Sequence, residues 1–383
     1  MGGHEEGHGG VGHFGLTLRT TGVLSIVPLL VALVLGPERQ LAVASNEHFV
    51  AVPGGYVAFW SEGDTAKAAR IALDGDVVAR ATLFSGRYVT GAAADGDSVV
   101  IVTQRLLGLP SAVEVFRIGA ALTIDAGPVL VGAGTVARIA AAGDGNVLVG
   151  WQLKRTEYYP GETLVVSQFD ASLALVRQRV LDLAPAPRVG DYVLAPGPFG
   201  TLVVWNELTG CEIPTGFPCG MTSGVRAAVL TPDLTIATPR GIDVAPRADG
   251  VANAWWDGTD WEIVYDGVGV LLSRVSAGGA LLDTAQILGS SHYFTRATPL
   301  GGDVVVASDF VDSHGGAGLT MARVRRGATE DSRILLVVLG PSSIAAGADG
   351  RLLLSYHRYP GTIAYYRIVD FNAENARPRP VLR

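Results

Sequence analysis

The stretch IAAAGDGNVLVGW at residues 139–151 joins a strand of small residues to an apolar strand ending on tryptophan, through a tight Gly-containing turn. A variable loop and a third strand follow it. A unit of about 50 residues that contains several strands is typical of a β-propeller. The chain therefore reads as an all-β propeller, because versions of this phrase occur seven times, at 50–60, 92–103, 139–151, 194–205, 254–265, 298–308 and 345–356.

The number of copies predicts seven four-stranded blades. The spacing between copies varies mainly in the loop after the second strand, and loops outside the stacked core accept insertions readily. Two copies, at 194–205 and 298–308, lack the Asp-Gly turn that several others carry. Six blades with one degenerate sheet is therefore the alternative.

Residue size within each copy predicts where its strands lie. First strands are small, as in alanines 92–94 and 140–142, which suits the crowded axis of a ring of sheets. Asp95-Gly96 is typical of a short hairpin turn, since both residues accept positive φ. Second strands such as 147–151 are continuously apolar, as expected where neighbouring sheets cover both faces. A third strand and a weaker fourth, for example 177–183, complete the unit.

One copy carries a more specific phrase. Residues 257–265 read DGTDWEIVY, which is Asp-Gly, an aromatic residue, an apolar residue, Val and a closing aromatic residue. In this form the chain resembles the repeats of large secreted bacterial β-propeller proteins, from about residue 45 to the C-terminus. The resemblance implies the fold and a secreted location, and it implies no particular activity.

Composition narrows the classes of partner. The formal net charge of −7 disfavours nucleic acid and anionic membrane surfaces. Charged residues make up 17% of the chain, below the roughly 25% usual for soluble domains. Strands covered on both faces need few charges, so this low value agrees with stacked blades. We expect a monomer with no stable membrane span.

The N-terminal region predicts a leader. Residues 1–15 are rich in Gly and His and predict disorder. Residues 23–35 form an apolar run that is short for a membrane span and suits a signal-peptide core. Residues 42–44, Ala-Val-Ala, have the form of a cleavage site. We therefore expect a leader over 1–44, a single propeller domain over 45–383, and an extracytoplasmic protein that is secreted, periplasmic or held at the cell surface.

A structural alternative exists for part of this leader. Residues 16–33 also resemble the third-strand, turn and fourth-strand portion of a repeat, as at 272–288. Interpreted that way, they supply a strand that closes the ring. The sequence leaves open whether residues 16–35 are a signal or a closing strand.

The only two cysteines, Cys211 and Cys219, share one loop between the second and third strands of the fourth blade. Two prolines and a glycine between them allow the chain to turn back, so we predict a disulfide. Such a bridge would contribute roughly 2–3 kcal/mol and implies an oxidising compartment. Metal binding would need further ligands, and none lies nearby in the sequence.

No catalytic motif, metal-ligand cluster or cofactor-binding loop occurs in the folded part of the sequence, so we predict no catalytic residue, no metal and no cofactor. A propeller hydrolase acting on glycans would need carboxylates projecting toward the axis from the first strands. The polar residues available on those strands are Glu47, Asp191, Arg138, Arg296 and Asn253. We keep this hydrolase as the alternative function.

The enlarged loops point to binding. Long segments at 152–163, 206–224 and 309–318 all follow second strands, so they lie on one face of the ring. Tyr158 and Tyr159 beside Phe217 predict an aromatic recognition patch between blades three and four. The leading prediction is a non-enzymatic exported propeller that binds a protein or glycan through this face.

Overall fold

The computed structural model describes residues 34–43, 45–105, 111–143, 145–153, 163–181, 183, 188–209, 222–239, 241–289, 292–311, 317–325, 328–336, 339–357 and 363–370. These residues form 29 β-strands in seven antiparallel sheets, and the part of the chain they cover contains no helix. The prediction of an all-β propeller with seven four-stranded blades is confirmed, and the six-bladed alternative is wrong. No membrane-spanning helix occurs in these ranges.

Each blade is a meander of consecutive strands. Blade 1 comprises β3 (Ser45–Val52), β4 (Gly55–Glu62), β5 (Thr65–Ala72) and β6 (Val77–Ser85). Blade 2 comprises β7 (Arg87–Asp95), β8 (Ser98–Arg105), β9 (Ala112–Ile118) and β10 (Ile124–Ala133). Blade 3 comprises β11 (Thr135–Gly143), β12 (Asn146–Leu153), β13 (Thr163–Phe169) and β14 (Leu175–Leu181). Blade 4 comprises β15 (Arg188–Gly197), β16 (Gly200–Thr209), β17 (Thr222–Leu230) and β18 (Ile242–Ala245). Blade 5 comprises β19 (Gly250–Trp256), β20 (Trp261–Gly267), β21 (Gly269–Val275) and β22 (Leu281–Leu288). Blade 6 comprises β23 (His292–Leu300), β24 (Asp303–Val311), β25 (Ala317–Arg325) and β26 (Ala328–Leu336). Blade 7 comprises β27 (Leu339–Ala346), β28 (Arg351–His357) and β29 (Ile363–Asp370), together with the N-terminal strands β1 (Val34–Leu35) and β2 (Arg39–Val43).

The first strands surround the axis, since those of neighbouring blades contact one another around the whole ring. Each first strand begins at the end of the ring where second strands finish. We call that end the loop face, and we call the opposite end, where first and second strands are joined, the hairpin face. Gly96 in the β7–β8 turn has φ of 60°, so this predicted Asp-Gly hairpin does use the left-handed conformation.

Blade-to-blade packing forms the core. Seven hydrophobic clusters occur, one between each pair of neighbouring blades. Second strands such as β8 and β12 are buried along almost their whole length, whereas the outer strands β10 and β14 are largely exposed. The continuous apolar runs of the second strands therefore reflect cover on both faces, as the sequence predicted.

A turn between third and fourth strands places leucine in an unfavourable backbone conformation. Leu122, Leu173 and Leu234 have φ of 62°, 63° and 64°, a region that L side chains rarely adopt. All three side chains are buried in inter-blade clusters. Burial of a leucine contributes about 1.5–3 kcal/mol, which offsets the strain of about 1–3 kcal/mol.

The ring is closed by the N-terminal part of the described chain. Strands β1 and β2 both pair with β29, so they form the broken outer strand of blade 7. Among the described residues, the strands of the propeller thus begin at Val34, before the boundary of 45 that the sequence predicted. Residues 16–33, the predicted signal or closing strand, lie outside the described residues, and the closing strands follow them directly.

The strands extend into the segments that the sequence predicted as long loops, so these loops are shorter than predicted. Strand β16 continues to Thr209 and β17 starts at Thr222, and β24 continues to Val311. The undescribed parts are 154–162, 210–221 and 312–316. Cys211, Cys219, Tyr158, Tyr159 and Phe217 fall within them, so the disulfide and the aromatic patch stay predictions.

Candidate functional site: the axial cavity of the loop face

A cavity of about 1060 Å³ occupies the axis at the loop face. Its walls come from the beginnings of the first strands and from residues at the ends of second strands, which lead into the long loops. All five polar first-strand residues identified in the sequence line it: Glu47, Arg138, Asp191, Asn253 and Arg296. The fold therefore brings residues from five blades together in one site.

Strand register sorts this lining into layers. Seven first-strand residues pair with the second strand at the same position, one residue before the last residue of each copy of the repeat, and so lie at one level around the axis. Two of them are Gly91 and Val193. The other five are polar, and we call them the polar ring: His48, Arg138, Asn253, Arg296 and Ser343. One residue further from the loop face, the lining becomes apolar, with Ile139, Leu194, Ala297 and Ile344. The cavity thus has a polar ring above an apolar floor.

Bulges shape the mouth of the cavity. All seven first strands show a register shift near their loop-face ends. Three residues at these shifts, Asn46, Val136 and Phe294, have φ of 55°, 49° and 49°. Such a φ is a true outlier for β-branched or bulky residues, and strain of this kind clusters at functional sites. Phe294 also exposes 72% of its surface at the mouth.

Buried polar side chains fasten three of the bulges to the preceding blade. Gln104 donates to the Gly134 carbonyl (3.0 Å), and Gln152 donates to the Val189 carbonyl (3.0 Å). Asp266 accepts from the Thr295 amide (3.0 Å), beside the strained Phe294. Burial raises the pKa of Asp266. Sequence reasoning missed these three residues, although the residue that directly follows each copy of the repeat is polar in every blade: Ser61, Gln104, Gln152, Asn206, Asp266, Asp309 and His357.

Replacing Gln152 by alanine is expected to lower the free energy of unfolding by about 1–3 kcal/mol, because the buried carbonyl of Val189 loses its side-chain donor. Gln286 offers a matched control, since its amide also donates to a carbonyl, that of Val268, at 2.7 Å, but on the surface. Gln286→Ala should cost less than about 0.5 kcal/mol. Urea unfolding of both variants measures the difference, and equal losses would contradict a role for Gln152 at the blade junction.

Two guanidinium groups face the cavity from nearly opposite blades. Arg138 forms an ion pair with Asp191 (2.7 Å) and donates to the carbonyls of Ala137 (3.3 Å) and Thr90 (3.5 Å). Arg296 donates to the carbonyl of Thr295 (3.0 Å), and burial lowers its pKa. Arg138 is therefore held between three blades, while Arg296 keeps its charge in a partly desolvated setting.

His48 lies within the electrostatic reach of both arginines. Burial, followed by the positive charges of Arg138 and Arg296, lowers the pKa of His48 to about 4, although a hydrogen bond with the Val89 backbone opposes the shift. The imidazole is therefore neutral at neutral pH. A neutral imidazole that donates from one nitrogen accepts at the other.

Glu47 is the buried carboxylate of the site. Its Oε2 pairs with His357 (3.2 Å), and this hydrogen bond raises the pKa of His357. Its Oε1 is also buried and has no hydrogen-bond partner among the residues that the structure describes. One oxygen of Glu47 thus links blade 7 to blade 1, and the other remains an acceptor.

The hairpin end of the axis differs in character. A second cavity of about 720 Å³ lies there, lined mainly by Ala, Gly and Pro residues. Small first-strand residues were predicted to crowd the axis, and they do so at this end. In the described ranges, no three His, Cys, Asp or Glu side chains come together in a possible metal site. The axial cavity of the loop face is therefore the candidate site.

Comparison with solved structures supports the fold alone. The WD40 domain of Toxoplasma gondii coronin is similar at a TM-score of 0.56 and 11% identity, covering 93% of this chain and 89% of that one. BBS1N, solved in complex with ARL6DN, is similar at a TM-score of 0.54 and 9% identity, covering 88% and 96%. A neuraminidase-like protein of bat influenza subtype N11 has a TM-score of 0.45 and 9% identity, covering 87% and 89%. No protein-family model matches the chain. No curated protein matches it either.

Proposed function

We propose that this propeller is a non-enzymatic, exported binding protein that recognises a protein or glycan through its loop face, over the mouth of the axial cavity. One observation carries the proposal: a polar cavity of about 1060 Å³ opens on the face where the second strands lead into the long loops. Ligand sites are concave, with a few converging polar groups above apolar walls, as in this layered lining.

The similar propellers agree with a binding role. BBS1N was solved in complex with another protein, ARL6DN. The predicted Cys211–Cys219 disulfide and the aromatic residues Tyr158, Tyr159 and Phe217 belong to loops that leave the strands around this cavity. A pinned loop would lose little conformational freedom on binding, which favours affinity.

The proposal is tested by capture from the envelope of the source organism. Residues 210–221 are replaced by a short Gly/Ser linker, which leaves β16 and β17 intact, and the same replacement of residues 276–280, the turn between β21 and β22 on the opposite hairpin face, is the matched control. The partner captured by the unaltered protein should be lost with the first replacement and kept with the second. Equal capture by both variants, or no specific partner at all, would contradict binding through this face.

The hydrolase remains the second candidate because Glu47 and Asp191 line one cavity. Both carboxylates are already engaged, Glu47 in a hydrogen bond with His357 (3.2 Å) and Asp191 in an ion pair with Arg138 (2.7 Å). A glycosidase needs two carboxyl groups that flank the scissile bond of the substrate and act on it directly. This arrangement favours binding over hydrolysis.

A further inference from the structure

The axial cavity separates its charges by depth. Asp191 lies within the bulge of β15, between the paired residues Val189 and Tyr192, and Glu47 lies within the corresponding bulge of β3. Both are closer to the loop face than the level of the polar ring. Arg138 and Arg296 belong to that deeper ring. A ligand that enters from the loop face therefore passes hydrogen-bond acceptors first and meets cationic donors below them.

Both guanidinium groups act on one region of the cavity. The charge of Arg138 and that of Arg296 each lower the pKa of His48, so both lie within electrostatic reach of this imidazole. Guanidinium groups bind carboxylates strongly and in a fixed geometry. Burial lowers the pKa of Arg296, and the charges of Asp191, Asp266 and Asp309 oppose that shift, so a bound carboxylate would add to a stabilisation that these residues already supply.

Acceptors for hydroxyl groups surround the same region. The Asp191 side chain is 51% exposed, and the buried Oε1 of Glu47 has no partner within the described part of the chain. Neutral His48 offers an acceptor nitrogen. Phe294 adds an exposed aromatic face at the mouth. Carboxylate acceptors at the mouth suit a ligand that carries hydroxyl donors together with its own carboxylate.

We propose that the axial cavity binds an acidic sugar, with its carboxylate held by Arg138 and Arg296 and its hydroxyl groups donating to Asp191, Glu47 and His48. This inference rests on the proposed binding function and names the chemistry of the ligand. An acidic peptide side chain satisfies the arginines but supplies no hydroxyl groups for the acceptors. The layered lining therefore favours the sugar.

Calorimetric titration of the full chain with D-glucuronate tests the inference, with D-glucose and N-acetylglutamate as comparison ligands. Glucuronate should bind, and the other two should bind at least about ten-fold more weakly, because glucose lacks the carboxylate and N-acetylglutamate lacks the hydroxyl groups. Equal binding of glucose would show that the charge is irrelevant. Equal binding of N-acetylglutamate would reduce the site to one for carboxylates in general. Either result, or no heat with glucuronate up to tens of millimolar, overturns the proposal.

Variants locate the binding. Arg296→Gln and Arg138→Gln should each weaken glucuronate binding by about 10-fold to 100-fold, the effect of losing a hydrogen bond between charged groups. Arg177→Gln is the matched control, since Arg177 lies on the outer strand β14 and donates to the Pro232 carbonyl at 2.9 Å. Circular dichroism establishes that each variant is folded. Glucuronate binding that both cavity variants leave unchanged would place the sugar elsewhere and overturn the inference.

The two proposals fail differently. Glucuronate binding without a captured envelope partner that depends on residues 210–221 would contradict recognition through the long loops and leave the sugar site intact. A captured partner that depends on residues 210–221, with no glucuronate binding, would contradict the sugar site alone.

Discussion

A chain from which residues 1–43 are deleted is expected to be less stable by on the order of 5 kcal/mol, comparable with the whole stability of an ordinary domain. The deletion removes β1 and β2, the outer strand of blade 7, and leaves the edge of β29 unpaired. It also removes Leu41, which is 3% exposed and packs between blades 7 and 1. Burial of a leucine alone contributes about 1.5–3 kcal/mol.

Side-chain bonds at the same junction add to the loss. Glu38 accepts from the Tyr356 hydroxyl (2.5 Å), and Arg367 donates to the Gly36 carbonyl (3.1 Å). Arg39 pairs with Asp76 of blade 1, so the closing segment joins the two ends of the ring. Urea unfolding followed by far-UV circular dichroism measures the change.

Deletion of residues 1–33 is the matched control, since it leaves every described strand in place. We expect this shorter deletion to unfold at nearly the same urea concentration as the full chain. Equal instability of the two deletions would contradict a closing role for residues 34–43. Equal stability of the longer deletion and the full chain would contradict it as well.

The closure also bears on the predicted export signal. The Ala-Val-Ala candidate at 42–44 overlaps β2, so cleavage after Ala44 would remove the closing strand of the ring. An exported protein with a closed ring is expected to keep Val34 to Val43. N-terminal sequencing of the exported protein tests this expectation, and a terminus at Ser45 would contradict it.

The blades were predictable because their signals are local. Strand order within a blade follows from apolar second strands, small first strands and short turns, all of which lie within one copy of the repeat. The closing strand was not predictable in the same way, since residues 34–43 carry no copy of the repeat and pair with a strand at the other end of the chain. The segment whose sequence resembles part of a repeat, residues 16–33, lies just before these closing strands.

The candidate site was predictable as a set of residues and not as an arrangement. Glu47, Asp191, Arg138, Arg296 and Asn253 were recognisable as polar residues on first strands. Their levels depend on a bulge in each first strand, and a bulge shifts every later residue relative to its neighbour. A polar residue follows every copy of the repeat, and in three blades it fastens a bulge, but its identity varies between Gln and Asp in those blades, which obscured its role.

Replacing Trp261 by alanine is expected to lower the free energy of unfolding by about 3–5 kcal/mol, the range for a large buried aromatic residue. Trp261 is completely buried between blades 4 and 5, where it packs edge-on against Trp256 with ring centroids 5.0 Å apart. Its indole N–H donates to the Ala195 carbonyl of blade 4 (3.0 Å). The variant loses both the packing of the indole ring and its hydrogen bond, and calorimetric or urea unfolding measures the combined loss of unfolding free energy.

Phenylalanine variants separate the hydrogen bond from the volume. Trp205 is also completely buried, between blades 3 and 4, but its indole N–H has no hydrogen-bond partner among the described residues. Trp205→Phe removes a donor that is unsatisfied, whereas Trp261→Phe leaves the Ala195 carbonyl without its side-chain donor. Trp261→Phe should therefore cost roughly 1 kcal/mol more than Trp205→Phe, the net contribution of one buried hydrogen bond. Equal losses would mean that packing alone holds these two blade junctions, because the change in ring volume is the same at both sites.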